Sequence, residues 1–266
     1  MPALTIARHS ELFEYQILSE QQIAAYQENG YLNVGRVLTD RGLNRLKTDV
    51  MAAWEAEKGP FDGNANWLKN SLLVNIHHRS EIVRKYYFNG PLVDVAQQLI
   101  GPNIKGVTSQ LTFKMRGNTM PFGWHQDNGY GELEPYNTLS TLTALDDSDE
   151  ENGCLQIIPG SHKQGQIAVY RSSEDRKANK EVVVDADDAK AVPLPMRAGE
   201  SVVLHCWMPH KSEGNHSKTR DRRIVFLRYA DADAVEVYND RQPRLGRLLR
   251  GTTNYPEVAA FESNWV

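Results

Sequence analysis

Apolar residues recur along this chain at two different periods, and the change falls near residue 103. In the first third the spacing is helical. Ser19-Glu20-Gln21-Gln22 is a capping box: a hydroxyl and an amide three residues apart satisfy each other's backbone N–H groups. It opens a helix that runs to Glu28 and stops at Gly30. Tyr31-Leu32-Asn33-Val34 alternates as a short strand. Thr39-Asp40 caps a longer helix, with Leu43, Leu46, Val50 and Trp54 on one face. Residues 58–66 are a loop by composition. Ser80 caps a helix ending at Asn89-Gly90, and Pro91, whose fixed φ suits a first turn, starts another that ends at Gly101-Pro102.

Beyond residue 103 the period shortens to that of strands. Residues 107–114, 139–145, 154–158, 182–184, 192–194, 201–206 and 224–229 are short, rich in β-branched and aromatic residues, and separated by turn signals such as Glu151-Asn152-Gly153, Pro159-Gly160-Ser161 and Ala198-Gly199-Glu200. The pattern predicts a mainly β fold with flanking helices, in which a helical N-terminal third packs on a sandwich or barrel running from about 103 to 230. No repeat or linker divides the chain, so residues 1–266 are expected to form a single domain. Residues 1–17 read as an arm, residues 171–190 as a polar surface insertion that is a candidate lid, and the stretch from Ala230 onward as a wrap around the core.

Composition narrows the function classes. Of the 266 residues, 40% are hydrophobic and 24% charged, a globular balance, and the net charge of −4 gives no reason to expect a nucleic-acid or acidic-membrane partner. The apolar runs are strand-sized, too short to span a bilayer, and the N-terminus lacks a basic segment followed by a long apolar one. Two cysteines, Cys154 and Cys206, make no disulfide framework; both sit in apolar contexts, as buried thiols in a reducing, cytoplasmic setting would.

The candidate chemistry lies in Trp124-His125-Gln126-Asp127. On a strand, positions two apart share a face, so His125 and Asp127 are expected to converge. An imidazole and a carboxylate together are two thirds of the facial triad that holds non-haem Fe(II) with positions left open. Downstream, His205 and His210 both lie near the end of a strand-like run, and spacing alone does not choose between them. Ser212 and the pair Arg222-Arg223 follow, and a guanidinium fork beside a hydroxyl is suited to grip a carboxylate.

In combination these residues resemble a known family. His125-Gln126-Asp127, then Glu151-Asn152-Gly153-Cys154-Leu155 through Pro159-Gly160-Ser161-His162, then His210-x-Ser212-x-x-Asn215-x-Ser217 with a following Arg, is similar to the phytanoyl-CoA dioxygenase-like family over roughly residues 19–230. The resemblance implies a double-stranded β-helix, a cupin-like jelly roll, and an Fe(II)-, 2-oxoglutarate- and O2-dependent oxygenase releasing succinate and CO2. It implies that His125, Asp127 and His210 are the iron ligands, with His205 packed or supporting. Ser212 and one of Arg222 or Arg223 become the 2-oxoglutarate clamp, and Gln110 a further contact. The family's His-to-Arg spacing lands on Asp221, a departure of about one residue; Arg222 is preferred because it keeps the distance to the aromatic at Tyr229, with Arg223 the alternative. Leu142 stands where some relatives carry a contacting Trp.

Asp127 has a further meaning. Related halogenases have a small residue in place of the acid, so a retained carboxylate points to hydroxylation of an unactivated C–H bond, or to desaturation or ring closure at the same site. A cupin-like metal enzyme not using 2-oxoglutarate is the reading that Arg222, Arg223 and Ser212 oppose. The expected partner is a small-molecule substrate, a polar metabolite or natural-product intermediate. Asn128, Tyr130 and Trp124, which flank the metal motif, and His77 and Asn75 are the candidate substrate contacts. His162 is assigned to its loop, and Arg228 is either exposed or an anion contact.

Overall fold

Local sequence sets the helices. Ser19 Oγ accepts from the Gln22 N–H at 3.2 Å and the Gln22 amide oxygen accepts from the Ser19 N–H at 2.9 Å, so the capping box opens α1, Glu20–Asn29. Gly30 ends it in the left-handed region, φ 76°, where a Cβ would stand 2.3 Å from His162 Nδ1. Thr39 caps α2, Asp40–Lys58, and Ser80 caps α3, Glu81–Asn89, while Pro91 occupies the first turn of α4, Pro91–Ile100. The computed structural model describes residues 10–59, 71–168 and 184–265. Residues 60–66 of the loop expected at 58–66, the strand residues 182–183, most of the 171–190 insertion with its candidate lid, and residues 1–9 of the arm lie outside them, while Lys58 still belongs to α2. The described part of the arm packs down, with Phe13 buried and bridged to Leu38.

Among the described residues there are fourteen strands, in chain order: β1 Tyr31–Arg36, β2 Ser71–Val74, β3 Ile104–Lys114, β4 Phe122–His125, β5 Leu133–Glu134, β6 Leu139–Ala144, β7 Leu155–Ile157, β8 Val192–Leu194, β9 Glu200–His205, β10 His210–Ser212, β11 Arg222–Asp231, β12 Val235–Glu236, β13 Gln242–Pro243 and β14 Arg247–Arg250. The larger sheet runs β1-β9-β6-β11-β3, with β2 and β14 sharing the outer edge of β3. A second sheet runs β4-β10-β7-β8, and a small one joins β13, β12 and β5. All these pairings are antiparallel. The fold is mainly β, a cupin-like jelly roll with helices on one flank.

The alternation of β11 shows how the layers divide. Val225, Leu227 and Tyr229 point into the main apolar cluster with Trp54, Tyr86 and Leu92 from the helices. Arg222, Ile224, Phe226 and Arg228 point the other way, toward the second sheet. On β3, Leu111 and Phe113 join the helix-side cluster, and Thr108, Gln110 and Thr112 face the second sheet. Each fully buried Leu, Val or Phe on the helix side contributes roughly 1.5–3 kcal/mol, so the helices are held by the odd-numbered half of each long strand.

Three features depart from the sequence reading. β1, β2 and β14 come from outside residues 103–230 yet extend the large sheet, so helical and β segments interleave. The run from Ser201 to His210 is two strands, not one. It leaves the large sheet after His205, turns through Cys206-Trp207-Met208-Pro209, and re-enters the second sheet at His210. Asp127 does not continue the strand of His125; it begins a helical turn, α5, Asp127–Tyr130. The last stretch does wrap the core: β12 to β14 add edges, and after a short helix α6, Pro256–Ala260, Trp265 packs against the main cluster. No helix among the described residues is long and apolar enough to cross a membrane. Cys154 and Cys206 are free and buried.

Candidate active site

Backbone pairing brings the two central histidines together. His125 is the last residue of β4 and His210 the first of β10, and they stand opposite each other in the antiparallel ladder, ring centroids 4.1 Å apart. Each ring is oriented the same way. His125 Nδ1 lies 2.8 Å from the Gly123 carbonyl and His210 Nδ1 3.0 Å from the Met208 carbonyl. A carbonyl can only accept, so each Nδ1 carries the proton and each Nε2 keeps a free lone pair. Asp127 supplies the third donor. Its Oδ1 lies 4.0 Å from His125 Nε2 and 3.8 Å from His210 Nε2, while its Oδ2 accepts a hydrogen bond from Ser140 on β6. One carboxylate oxygen is thus tied back, and the other meets two imidazole lone pairs across a space the size of a metal ion.

Electrostatics agree with this donor set. Burial drives His125 down to about 3, with the neighbouring His210 adding to the effect, so the ring is neutral. Burial alone would raise Asp127, but His210, His125 and Arg228, with the Ser140 hydrogen bond, outweigh it and hold the carboxyl below its ordinary range. A neutral His125, an ionised Asp127 and the Nε2 that His210 presents fit Fe(II).

The triad borders a cavity of about 380 Å3 between the two sheets. Gln110, Leu142, Ser212, Arg222 and Arg228 line it, as do Phe122 and Tyr130 at the triad and Leu72 and Val74, half-exposed, at the mouth. Arg222 is buried, and neither its Nε nor its Nη1 has a hydrogen-bond partner. Burial lowers it only to about 10, so it keeps its charge. Opposite it on β3 is Lys114, whose Nζ donates to Ser212 Oγ at 2.8 Å and to the Ser212 carbonyl at 3.1 Å. Burial, and then Arg222, push Lys114 down to about 7. Arg223 takes the opposite face. Its Nε and Nη2 donate to the two carboxylate oxygens of Asp146 at 2.7 and 2.6 Å. Arg222 is therefore the arginine presented to the cavity, and Arg223 is engaged elsewhere.

Several of the residues proposed from the sequence lie away from the cavity. Asn128 is fully buried but turns to the backbone of Leu133, donating to its carbonyl at 3.2 Å and accepting from its N–H at 3.3 Å. Trp124 points outward, its indole N–H donating to Asp188 at 2.9 Å with Lys211 above the ring. His77 and Asn75 sit on the helix side of β3, where His77 Nδ1 meets Ser109 Oγ at 2.6 Å and both border a separate cavity of about 210 Å3. His77 and His78 hold Glu262 of the C-terminal segment, at 3.3 and 2.7 Å. The side-chain parity of β3 excludes them from the substrate side: Ser109 faces the helices, Gln110 the cavity. His205 packs between Tyr26 and His162, rings 6.2 and 5.1 Å away, and His162 reaches the Gln27 carbonyl at 3.1 Å; neither joins the triad. Sequence reasoning missed Lys114, Ser140, Phe122, Leu72 and Val74. Lys114 and Ser140 carry a signal only in their register against β11.

Two histidines away from the triad, His77 buried and His205 partly buried, give a pH prediction. Burial lowers His77 and His205 from 6.5 to about 4, opposed at His77 by Glu262. Below pH 6.5 the unfolded chain takes up these protons and the folded chain does not, so stability is full above 6.5 and is lost as pH falls toward 4. At roughly 1.4 kcal/mol per pH unit, each ring accounts for at most about 3 kcal/mol at the acidic end. Urea midpoints of the metal-free protein should fall steadily from about pH 7 to about pH 5; a flat profile would contradict the two rings being held neutral.

A jelly roll that gathers two histidines and an aspartate beside a cavity holding an unpaired arginine defines a class: the protein is a non-haem iron, 2-oxoglutarate-dependent dioxygenase. The family model described as phytanoyl-CoA dioxygenase (PhyH) matches residues 26–224. Phytanoyl-CoA dioxygenase domain-containing protein 1 of Mus musculus is 33% identical over 204 residues, 70% of this chain and 68% of that protein. A probable alpha-ketoglutarate-dependent hypophosphite dioxygenase of Stutzerimonas stutzeri is 26% identical over 235 residues, 82% of this chain and 80% of its own. Among solved structures, the non-heme alpha ketoglutarate dependent carbocyclase SnoK from nogalamycin biosynthesis shares the fold, with a TM-score of 0.67 and 24% identity over 88% of this chain and 94% of that one. The chain belongs to the phytanoyl-CoA dioxygenase family.

Proposed function

We propose that this chain, as a single cytoplasmic oxygenase domain, hydroxylates an unactivated C–H bond of a small polar metabolite or natural-product intermediate. His125, Asp127 and His210 hold Fe(II), and Arg222 takes the far carboxylate of 2-oxoglutarate. When bound, the iron with 2-oxoglutarate and O2 supplies the oxidising power, releasing succinate and CO2 as the hydroxyl is placed. The observation that carries the reading is Arg222: a buried guanidinium with two unpartnered nitrogens, facing the cavity from the same sheet that carries Ser140 behind Asp127. An unpaired buried charge costs several kcal/mol, which a bound carboxylate offsets with charge-assisted hydrogen bonds.

Ser212 and Lys114 stand beside that carboxylate, and Gln110 lines the approach between Arg222 and the metal. The chain's own part is to fix these donors on paired strands, keep both imidazole Nε2 atoms unprotonated, and exclude water with Leu142, Ile224 and Phe226. Closely related outcomes, desaturation or ring closure, need the same donors. A succinate-release screen with purified protein, Fe(II), 2-oxoglutarate and a panel of metabolites tests the proposal. Stimulation by a compound that returns with one added oxygen is expected. Stimulation with loss of two hydrogens and no oxygen gained would replace hydroxylation with desaturation or closure, and iron-dependent turnover without succinate would overturn the 2-oxoglutarate reading.

A further inference from the structure

β11 carries a second buried arginine on the cavity face, and the proposed function leaves it unused. Arg222 and Arg228 are six residues apart on one strand, so their Cα atoms lie about 20 Å apart along it. A five-carbon diacid is much shorter than that, and Arg228 is held to Asn128 at the triad end. Arg228 stands at the triad end: its register partner on β6 is Ser140, the residue that holds Asp127 Oδ2. Its side chain is 9% exposed and lines the cavity; Nη2 donates to Asn128 Oδ1, and Nε has no partner. Asn128 is locked to Leu133, so its oxygen fixes the guanidinium without cancelling its charge.

Charge makes the position specific. The acid that acts most strongly on Arg228 is Asp127. Once Asp127 ligates a divalent cation, its negative charge is more than offset, and Arg228 loses its counter-ion when the site is loaded. The two charges of 2-oxoglutarate balance the remaining charge of the metal and that of Arg222. Lys114 is already bonded to Ser212 and Glu213 oxygens at the far end. Arg228 is left as a desolvated cation beside the position where substrate must lie.

We infer that Arg228 anchors the substrate, and that the substrate carries a compact oxyanion, a carboxylate or phosphonate, a few bonds from the carbon that reacts. This rests on the 2-oxoglutarate reading of the site. The fork geometry suits either anion, since Nε and one terminal nitrogen can donate side by side. Tyr130 and Phe122 flank the same end of the cavity and would cover the apolar part of such a molecule.

The test is binding rather than turnover. Protein is held anaerobically with Fe(II) and saturating 2-oxoglutarate, and its melting temperature is followed while butyrate, butylphosphonate or neutral butanamide is added at constant ionic strength. One or both anions should raise the melting temperature in a saturable way, and butanamide should not. Butyrate alone assigns a carboxylate, and butylphosphonate alone a phosphonate. Arg228→Gln should weaken the effective anion by roughly tenfold or more, and Arg228→Lys should restore part of the affinity. Equal responses to anions and butanamide, or an anion affinity unchanged in Arg228→Gln, would overturn the inference. Should Arg228→Gln not fold, the wild-type comparison of anion against amide still decides. A failure of the underlying reading looks different: 2-oxoglutarate itself would give no melting shift on Fe(II)-loaded protein before any anion is added.

Discussion

Asp127→Ala is expected to remove 2-oxoglutarate turnover altogether and to weaken Fe(II) binding severely. The carboxylate is the one anionic donor of the triad, and both of its oxygens are engaged, Oδ1 toward the two imidazole Nε2 atoms and Oδ2 by Ser140. Alanine leaves two histidines alone, which hold a divalent ion far less well than two histidines with a carboxylate. It also deprives Arg228 of the acid that acts on it most strongly. Ser140→Ala provides the graded control. It keeps all three donors but frees Oδ2 to swing, and a loss of about 10- to 100-fold in metal affinity or activity is expected. Succinate release and iron content measured together check both variants. Normal turnover by Asp127→Ala would mean the metal is held elsewhere.

Arg222→Met and Arg223→Met are expected to separate cleanly, with opposite signs in stability. Arg222 is buried with two unpartnered nitrogens, so replacing it with an apolar side chain of similar length removes an uncompensated charge. The free protein should be as stable as the wild type or more so, while the KM for 2-oxoglutarate rises by about 100-fold, the loss of one bidentate charge-assisted contact. Arg223 faces Asp146, both side chains mostly covered, at 19% and 15% exposure. Its loss leaves Asp146 with Lys47 at 3.3 Å as its remaining cation, and should cost about 1–3 kcal/mol of stability with little change in KM. Denaturant midpoints and KM measured on the same preparations decide. A raised KM confined to Arg223→Met would exchange the two roles.

Much of this architecture is legible in the sequence. The helix starts at Ser19, Thr39, Ser80 and Pro91 follow from capping chemistry and are found within a residue of where it puts them. The choice of Arg222 over Arg223 agrees with parity: Val225, Leu227 and Tyr229 face the helices, so the even positions face the cavity. Other parts are not legible, for physical reasons. β4 and β10 are four and three residues long, too short for a hydrophobic period to declare itself, and they carry His125 and His210. Strand alternation predicts the convergence of His125 and Asp127, but a helical turn beginning at Asp127 produces it. Asn128, Trp124, His77 and Asn75 have the polar and aromatic character of substrate contacts. Hydrogen bonds to Leu133, Asp188 and Ser109 and a left-handed turn at Asn75 place them in the scaffold instead. Lys114 looks like an ordinary strand-end lysine until pairing sets it opposite Arg222.

The double duty of β11 bears on quality control. The same ten residues form the wall of the reaction chamber on one side and the floor of the apolar core on the other. Were the strand to pair one residue out of step, Arg223 would enter the chamber in place of Arg222, and Arg222, Ile224, Phe226 and Arg228 would be driven into the core. Two guanidinium groups against Trp54 and Leu92 could not persist, so a misaligned molecule would open and be cleared rather than survive as a weak enzyme. In a preparation of this protein, the fraction that folds and the fraction able to react should be one and the same.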